Sequence, residues 1–242
     1  QFFVIRADLK RNSFYILILL FALSNYCFAQ GNKIKNQPKY DKKILHFGFC
    51  LGIFTNNFKI NPVEDLSTVP GYYGFTLNPE PGYKIGIITN FRLSEHWDFR
   101  YIPSFATSQR NIIFDVTDPI TGERKMVERD IQSSFVENPF ELKFKSDRID
   151  NYRWYLLGGV KHSLDLASKK KVEDDNIFKI ENNDFAVEFG LGLDFYFEFF
   201  KFSPQIKTSF GVRNLKVEDG TYLVEGIDEL YSRSILINFT FE

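Results

Sequence analysis

Apolar residues fall on every second position through most of the chain after residue 43. From Asp184 it reads Asp-Phe-Ala-Val-Glu-Phe-Gly-Leu-Gly-Leu-Asp-Phe-Tyr-Phe. Phe185, Val187, Phe189, Leu191, Leu193, Phe195 and Phe197 share one face; Ala186, Glu188, Gly190, Gly192, Asp194 and Tyr196 share the other. A helix would scatter residues of this period around its surface, so the pattern predicts a strand. Its 14 residues exceed the usual strand length of about 5–6. They also exceed the roughly 9–11 that a tilted strand needs to cross a bilayer.

The same alternation recurs seven times. It places Leu45 to Ile53 opposite His46, Gly48, Cys50 and Gly52, and Tyr83 to Leu93 opposite Lys84, Gly86, Ile88, Asn90 and Arg92. Trp97 to Phe105 oppose Asp98, Arg100, Ile102 and Ser104; Phe140, Leu142 and Phe144 oppose Glu141, Lys143 and Lys145 within a fainter stretch from Ile131. Leu156 to Leu166, Phe202 to Val212 and Ile235 to Phe241 complete eight predicted strands. The links alternate in length. Residues 94–96, 146–151 and 198–200 are tight turns, whereas 57–82, 112–129, 168–183 and 214–232 are predicted as long loops. An even strand number with alternating short and long links predicts an all-β, antiparallel, up-and-down transmembrane barrel of the outer-membrane type.

A secreted soluble sandwich would show the same period with its faces exchanged. The membrane reading is preferred because the apolar face is rich in aromatics and the other face carries Gly with charges of both signs. Those charges are Lys84, Arg92, Arg100, Lys143, Lys161, Lys207 and Arg213 against Asp98, Glu141, Asp165, Glu188 and Asp194. Eight strands enclose only enough space for side chains, so buried charges there must pair. Lys84, Arg92, Asp98, Arg100, Glu141, Lys143, Glu188, Asp194, Lys207 and Arg213 are the candidate inward network, a structural one. Function is then expected in loops, rims or the outer face, not in a pore.

The first residues read as an address. Lys10 and Arg11 precede an apolar run, Phe14 to Leu23, and cleavage is expected after Ala29, as in a secretory signal peptide. That run is too short for a membrane-spanning helix. The chain begins with Gln, and its first residue is not expected to be the natural start. The expected organisation is a signal segment with preceding residues at 1–29, a periplasmic segment at 30–43 and the barrel at 44–242, with both mature ends periplasmic.

Composition then acquires a meaning. The chain of 242 residues has 28 Phe, 30 Lys+Arg, 31 Asp+Glu and a mean hydropathy of −0.22. Near-neutral charge gives no reason to expect nucleic acid. With Cys27 in the leader, Cys50 stands alone, which excludes an intramolecular disulfide framework. No cofactor, metal or small-molecule substrate is expected. His46 is expected as a satisfied interior group and His96 in a turn. His162 and Ser163 invite comparison with lipid hydrolases but point to opposite faces of a strand, so no catalytic residue is assigned. The Pro-rich link Asn61–Pro81 is the candidate interaction surface, and the charge switch from Lys169–Lys171 to Glu173–Asp175 is expected in a solvated loop.

Several blocks resemble the PorT/SprT family of outer-membrane barrels tied to type IX secretion. They are His46–Phe49, Pro81–Ile87, Arg100–Pro103 with Gln109-Arg110, Pro139–Ser146, Asn151–Arg153, Tyr155–Val160, Asp165–Ala167 and Phe200–Lys207. The resemblance implies a non-enzymatic component needed for secretion of cargo with a C-terminal sorting domain, and for gliding in species that glide. It implies other type IX components and outer-membrane lipids as partners, and no catalytic residues. The competing functional classes are a small barrel enzyme acting on lipid A and a plain adhesion or structural barrel.

Overall fold

The computed structural model describes residues 35–63, 71–117, 121–167, 180–217 and 226–242. The chain divides into Gln1–Lys35 and Asn36–Glu242. Apart from Lys35, the first unit, including the expected leader, lies outside the described residues, as do the charge switch at 169–175 and residues 64–70.

The second unit is a ring of antiparallel strands. In chain order they are β1 (Leu45–Pro62), β2 (Tyr72–Pro79), β3 (Pro81–Arg92), β4 (Trp97–Tyr101), β5 (Ser104–Thr117), β6 (Arg124–Lys145), β7 (Tyr152–Asp165), β8 (Asn183–Tyr196), β9 (Lys201–Gly211) and β10 (Ile227–Phe241). Successive strands pair from β6 to β10, β10 pairs with β1, and β1 with β3, which closes the sheet. β2 and β3 form one wall strand, as do β4 and β5: β3 pairs with both β4 and β5, and both of these pair with β6. The barrel therefore has eight strands. The interruption between β4 and β5 falls at Pro103, which has no N–H to give.

Phe47, Ile85, Leu142, Phe189, Ile206 and Ile237 are exposed on the outer face, whereas Lys84, Arg100, Glu141, Lys143, Glu188, Asp194 and Lys207 are buried inside. Paired aromatics extend the outer coat, with Tyr101 stacked on Phe140 (4.9 Å) and Phe49 on Phe241 (4.9 Å). At the end with the tight turns, Asp150 takes a left-handed conformation (φ 51°), which Asp tolerates better than most residues.

The links differ from expectation. Much of 57–82 and 112–129 is strand: β1 continues to Pro62, β2 fills Tyr72–Pro79, β5 runs to Thr117 and β6 begins at Arg124. β10 likewise starts at Ile227, inside the predicted loop 214–232. The reason is a second core. Phe58, Tyr72, Ile112, Phe114, Val116, Val127, Ile131, Ile180, Leu215, Ile227 and Leu230 pack together inside this end, joined by Phe75 and Leu77. Here the apolar residues point inward while Thr76, Asn78, Asp115, Arg124, Glu128 and Asp130 point out, with Ile113 and Met126 as apolar exceptions. The alternation reverses its polarity along single strands. β2 is further displaced in phase, because Pro79 pairs with Arg110 but Tyr83 with Thr107. Four steps on one strand match three on the other, so one residue is extra, a β-bulge.

Candidate functional site: the charged interior

The inward residues of β6 to β9 form a column of charge, ordered from the tight-turn end by successive inward positions. On β9 these are Lys201, Ser203, Gln205 and Lys207, all buried. Lys201 reaches Glu242 at 3.0 Å, and Arg100 reaches the same carboxylate at 3.5 Å. The Ser203 hydroxyl donates to Asp194 (2.7 Å), which also accepts from Lys143 (2.7 Å) and from Arg153 Nε (3.0 Å). Gln205 Oε1 accepts from Arg100 (3.3 Å) and from the Tyr155 hydroxyl (3.0 Å). Lys207 bridges Glu141 and Glu188, the latter at 3.1 Å.

One step nearer the other end, Glu137 accepts from Lys84 (2.6 Å) and Lys161 (3.0 Å), and Lys161 also faces Glu188 at 3.4 Å. These pairs cross the lumen from β3 to β6, from β4 to β9 and from β6 to β9. Glycine makes the crossing possible: a Cβ on Gly190 would sit 2.7 Å from Lys207 Cγ, and one on Gly192 would sit 2.5 Å from the Tyr155 ring. The side of the lumen formed by β1, β3, β5 and β10 mixes buried polar residues, among them Lys84, Asn90 and Asn238, with two small apolar clusters: Cys50 against Ile88 and Ile102, and Phe54 against Ala106, Phe135 and Leu236.

Eight of the ten candidate network residues therefore line the interior: Lys84, Asp98, Arg100, Glu141, Lys143, Glu188, Asp194 and Lys207. Asp98 pairs with Lys145. Arg92 and Arg213 do not join them. Arg92 is half-buried at the tight-turn rim and donates to the Ser94 carbonyl (3.2 Å); Arg213 is exposed and faces Glu181 at 3.7 Å. Both lie where their strands end and side chains leave the lumen. Sequence reasoning placed Lys161 on the inward face without including it in the ten-residue network, and it omitted Arg110, Glu137, Lys145, Arg153, Lys201 and Glu242. Their parity on the strand was the available signal: Glu242 follows the outward Phe241, and Arg110 shares the phase of Arg100.

A segment before β1 closes the tight-turn end. Residues 40–42 make one 3-10 turn. The Tyr40 hydroxyl donates to Glu242 (3.0 Å), and its ring stacks on His46 (4.1 Å). Asp41 faces Arg153 (3.1 Å) and Arg148 (3.6 Å) and accepts from the Tyr196 hydroxyl (2.9 Å). Burial favours a protonated Asp41, but Arg153, the Tyr196 hydrogen bond and Arg148 together outweigh it and hold the carboxyl below its ordinary range. Burial and then Glu242 push the Tyr40 phenol well above its own, so it remains a donor.

His162 lies on the outer side, 3.2 Å from Asn183 Oδ1 and against the Phe185 ring (4.8 Å), while Ser163 is buried inside. The two side chains do not meet across the wall. His96 contacts the Lys145 carbonyl (3.0 Å) in its turn, and His46 contacts the Tyr40 carbonyl (2.9 Å). Among the described residues there is no cluster of His, Cys, Asp and Glu suited to a metal ion.

The family described as an outer membrane protein beta-barrel domain matches residues 28–217. No curated protein matches the chain. Similar solved structures include Ail, the attachment invasion locus protein of Yersinia pestis, in complex with the heparin analogue sucrose octasulfate. It is 12% identical, with 82% of this chain and 98% of that one covered and a TM-score of 0.39. Neisserial surface protein A is 6% identical over 82% of this chain and 98% of its own, with a TM-score of 0.42. OprG of Pseudomonas aeruginosa is 10% identical over 81% and 94%, also with a TM-score of 0.42.

Proposed function

The chain belongs to the outer membrane protein beta-barrel domain family and is an integral outer-membrane barrel, and from that premise we propose that it is a non-enzymatic component required for type IX protein secretion, with gliding motility depending on it where a species glides. One observation carries this reading: the blocks that resemble the PorT/SprT family converge inside the barrel. Lys201, Ser203, Gln205 and Lys207 come from one block, Glu141, Lys143 and Lys145 from another, and Arg100 and Arg153 from two more, and they meet in one paired network. Alternation alone would bring apolar residues to the lipid in any small barrel. It would not demand these polar identities at these heights.

With its lumen occupied by side chains, such a barrel works through its rims, its outer face and its partners. The tight-turn end, with residues 36–43, faces the periplasm in this reading, and the apolar-cored extension stands outside the cell. Partners are other type IX components together with outer-membrane lipids. The test is deletion of the gene followed by measurement of cargo bearing a C-terminal sorting domain in the medium. Loss of secreted cargo, restored by the intact gene, is expected; undiminished secretion would reject the proposal.

A further inference from the structure

The charge column balances where it is densest: Lys84, Lys161 and Lys207 face Glu137, Glu141 and Glu188. One layer higher, beneath the apolar core, the balance fails. A cavity of about 30 Å³ lies there, bordered by Asp165, Asp184, Arg110 and Ser163 and, from the layer below, by Glu137 and Lys161. That volume accommodates one or two waters or a single small ion.

Both aspartates are half-used. Asp165 Oδ1 accepts from the backbone N–H groups of Ser134 (3.2 Å) and Ala167 (2.9 Å), while its Oδ2 is buried with no partner. Asp184 Oδ2 accepts from the Ser232 hydroxyl, while its Oδ1 is buried with no partner. Ser163 is opposite Asp184 in the β7–β8 register, and Asp165 is the next inward position on β7. The two acids are therefore diagonal neighbours on one face, within reach of a shared ion.

Arg110 is the layer's cation, and its Nε is buried with no partner. Its guanidinium lies 4.2 Å from the Phe58 ring centre and donates to Ser133 at 2.5 Å. Glu181, which also borders the cavity, faces Arg213. Lys161, also on the wall, is held by Glu137 and Glu188. Two carboxylates against one guanidinium then leave a single negative charge, and the two unpartnered carboxylate atoms are oxygens, beside the unpartnered Nε–H donor of Arg110. Oxygen ligands select a hard cation, and one uncompensated charge selects a monovalent one.

We propose that this cavity binds one monovalent hard cation, of the sodium class, bridged between Asp165 Oδ2 and Asp184 Oδ1. The full barrel in detergent, melted at constant ionic strength with sodium chloride exchanged for choline chloride, tests this directly. Sodium is expected to raise Tm, and radioactive sodium is expected to bind saturably at one ion per chain. Asp184→Asn is expected to weaken sodium binding at least tenfold, whereas Asp115→Asn, on the outer face of the extension, leaves it unchanged. Identical melting in both salts with no retained sodium would overturn the site in the unmodified protein, whether or not any variant folds. Stabilisation by calcium but not by sodium would overturn it equally.

Discussion

The barrel has two interiors. At the level of its lipid-facing coat the lumen holds paired charge and the wall is apolar outside; beyond that level the lumen is apolar and the wall polar outside. β6 runs through both: Glu141, Lys143 and Lys145 are buried near one end, Val127 and Ile131 near the other. One strand thus follows two solvents. Where hydrocarbon surrounds it, the hydrophobic side chains must be outside and the lumen takes what remains. Where water surrounds it, the ordinary arrangement of a soluble protein returns. The reversal between Arg110 and Ile112 on β5 marks the level at which the surroundings change.

The difference yields tests of decreasing size. Asp194→Ala leaves Lys143 and Arg153 without their shared acceptor, and stranding a buried charge costs about 3–5 kcal/mol. Denaturant unfolding in lipid vesicles is expected to show that loss, or no folded band on unheated gels. Phe114→Ala, in the apolar interior, should cost about 3 kcal/mol through its cavity, with the charged half left folded.

The outer wall gives the sharpest contrast. Leu142→Arg places a charge in the lipid-facing band and should cost about 2–3 kcal/mol, while Ile113→Arg on the extension should change stability by less than about 0.5 kcal/mol. Equal costs at these two positions would remove the proposed change of solvent.

The smallest effect concerns Asp41. A carboxyl held below its ordinary value contributes stability that is fully present above the unfolded pKa of about 3.9 and is lost as pH falls through the lower folded value. Asp41→Asn should therefore flatten acid sensitivity below about pH 4, and leave the slope near neutrality unchanged.

The wall at lipid depth was legible because one period of two governs both its faces. β8 and β9 follow from alternation alone, as do the inward positions of Glu188, Asp194 and Lys207. β2 was not legible: a bulge near Glu80 shifts its phase, and its apolar residues Phe75 and Leu77 point inward, opposite to the rule that located the other strands. The same reversal hid the outer halves of β5 and β6. Pairing within the lumen was legible as a requirement, but not as partners. Register between neighbouring strands does not say that Lys207 on β9 will cross to Glu141 on β6. Arg92 and Arg213 had the right parity and lay too near a strand end for parity to confine them.

The segment before β1 binds groups that are far apart in the chain. Tyr40 holds Glu242, and Asp41 holds Arg153 and Tyr196. The full set joins the start of β1 to the ends of β7, β8 and β10 at once, a geometry that the closed ring provides. The segment's full docking is therefore a record of finished assembly: a chain whose ring has not closed leaves this segment incompletely held, open to whatever meets it first.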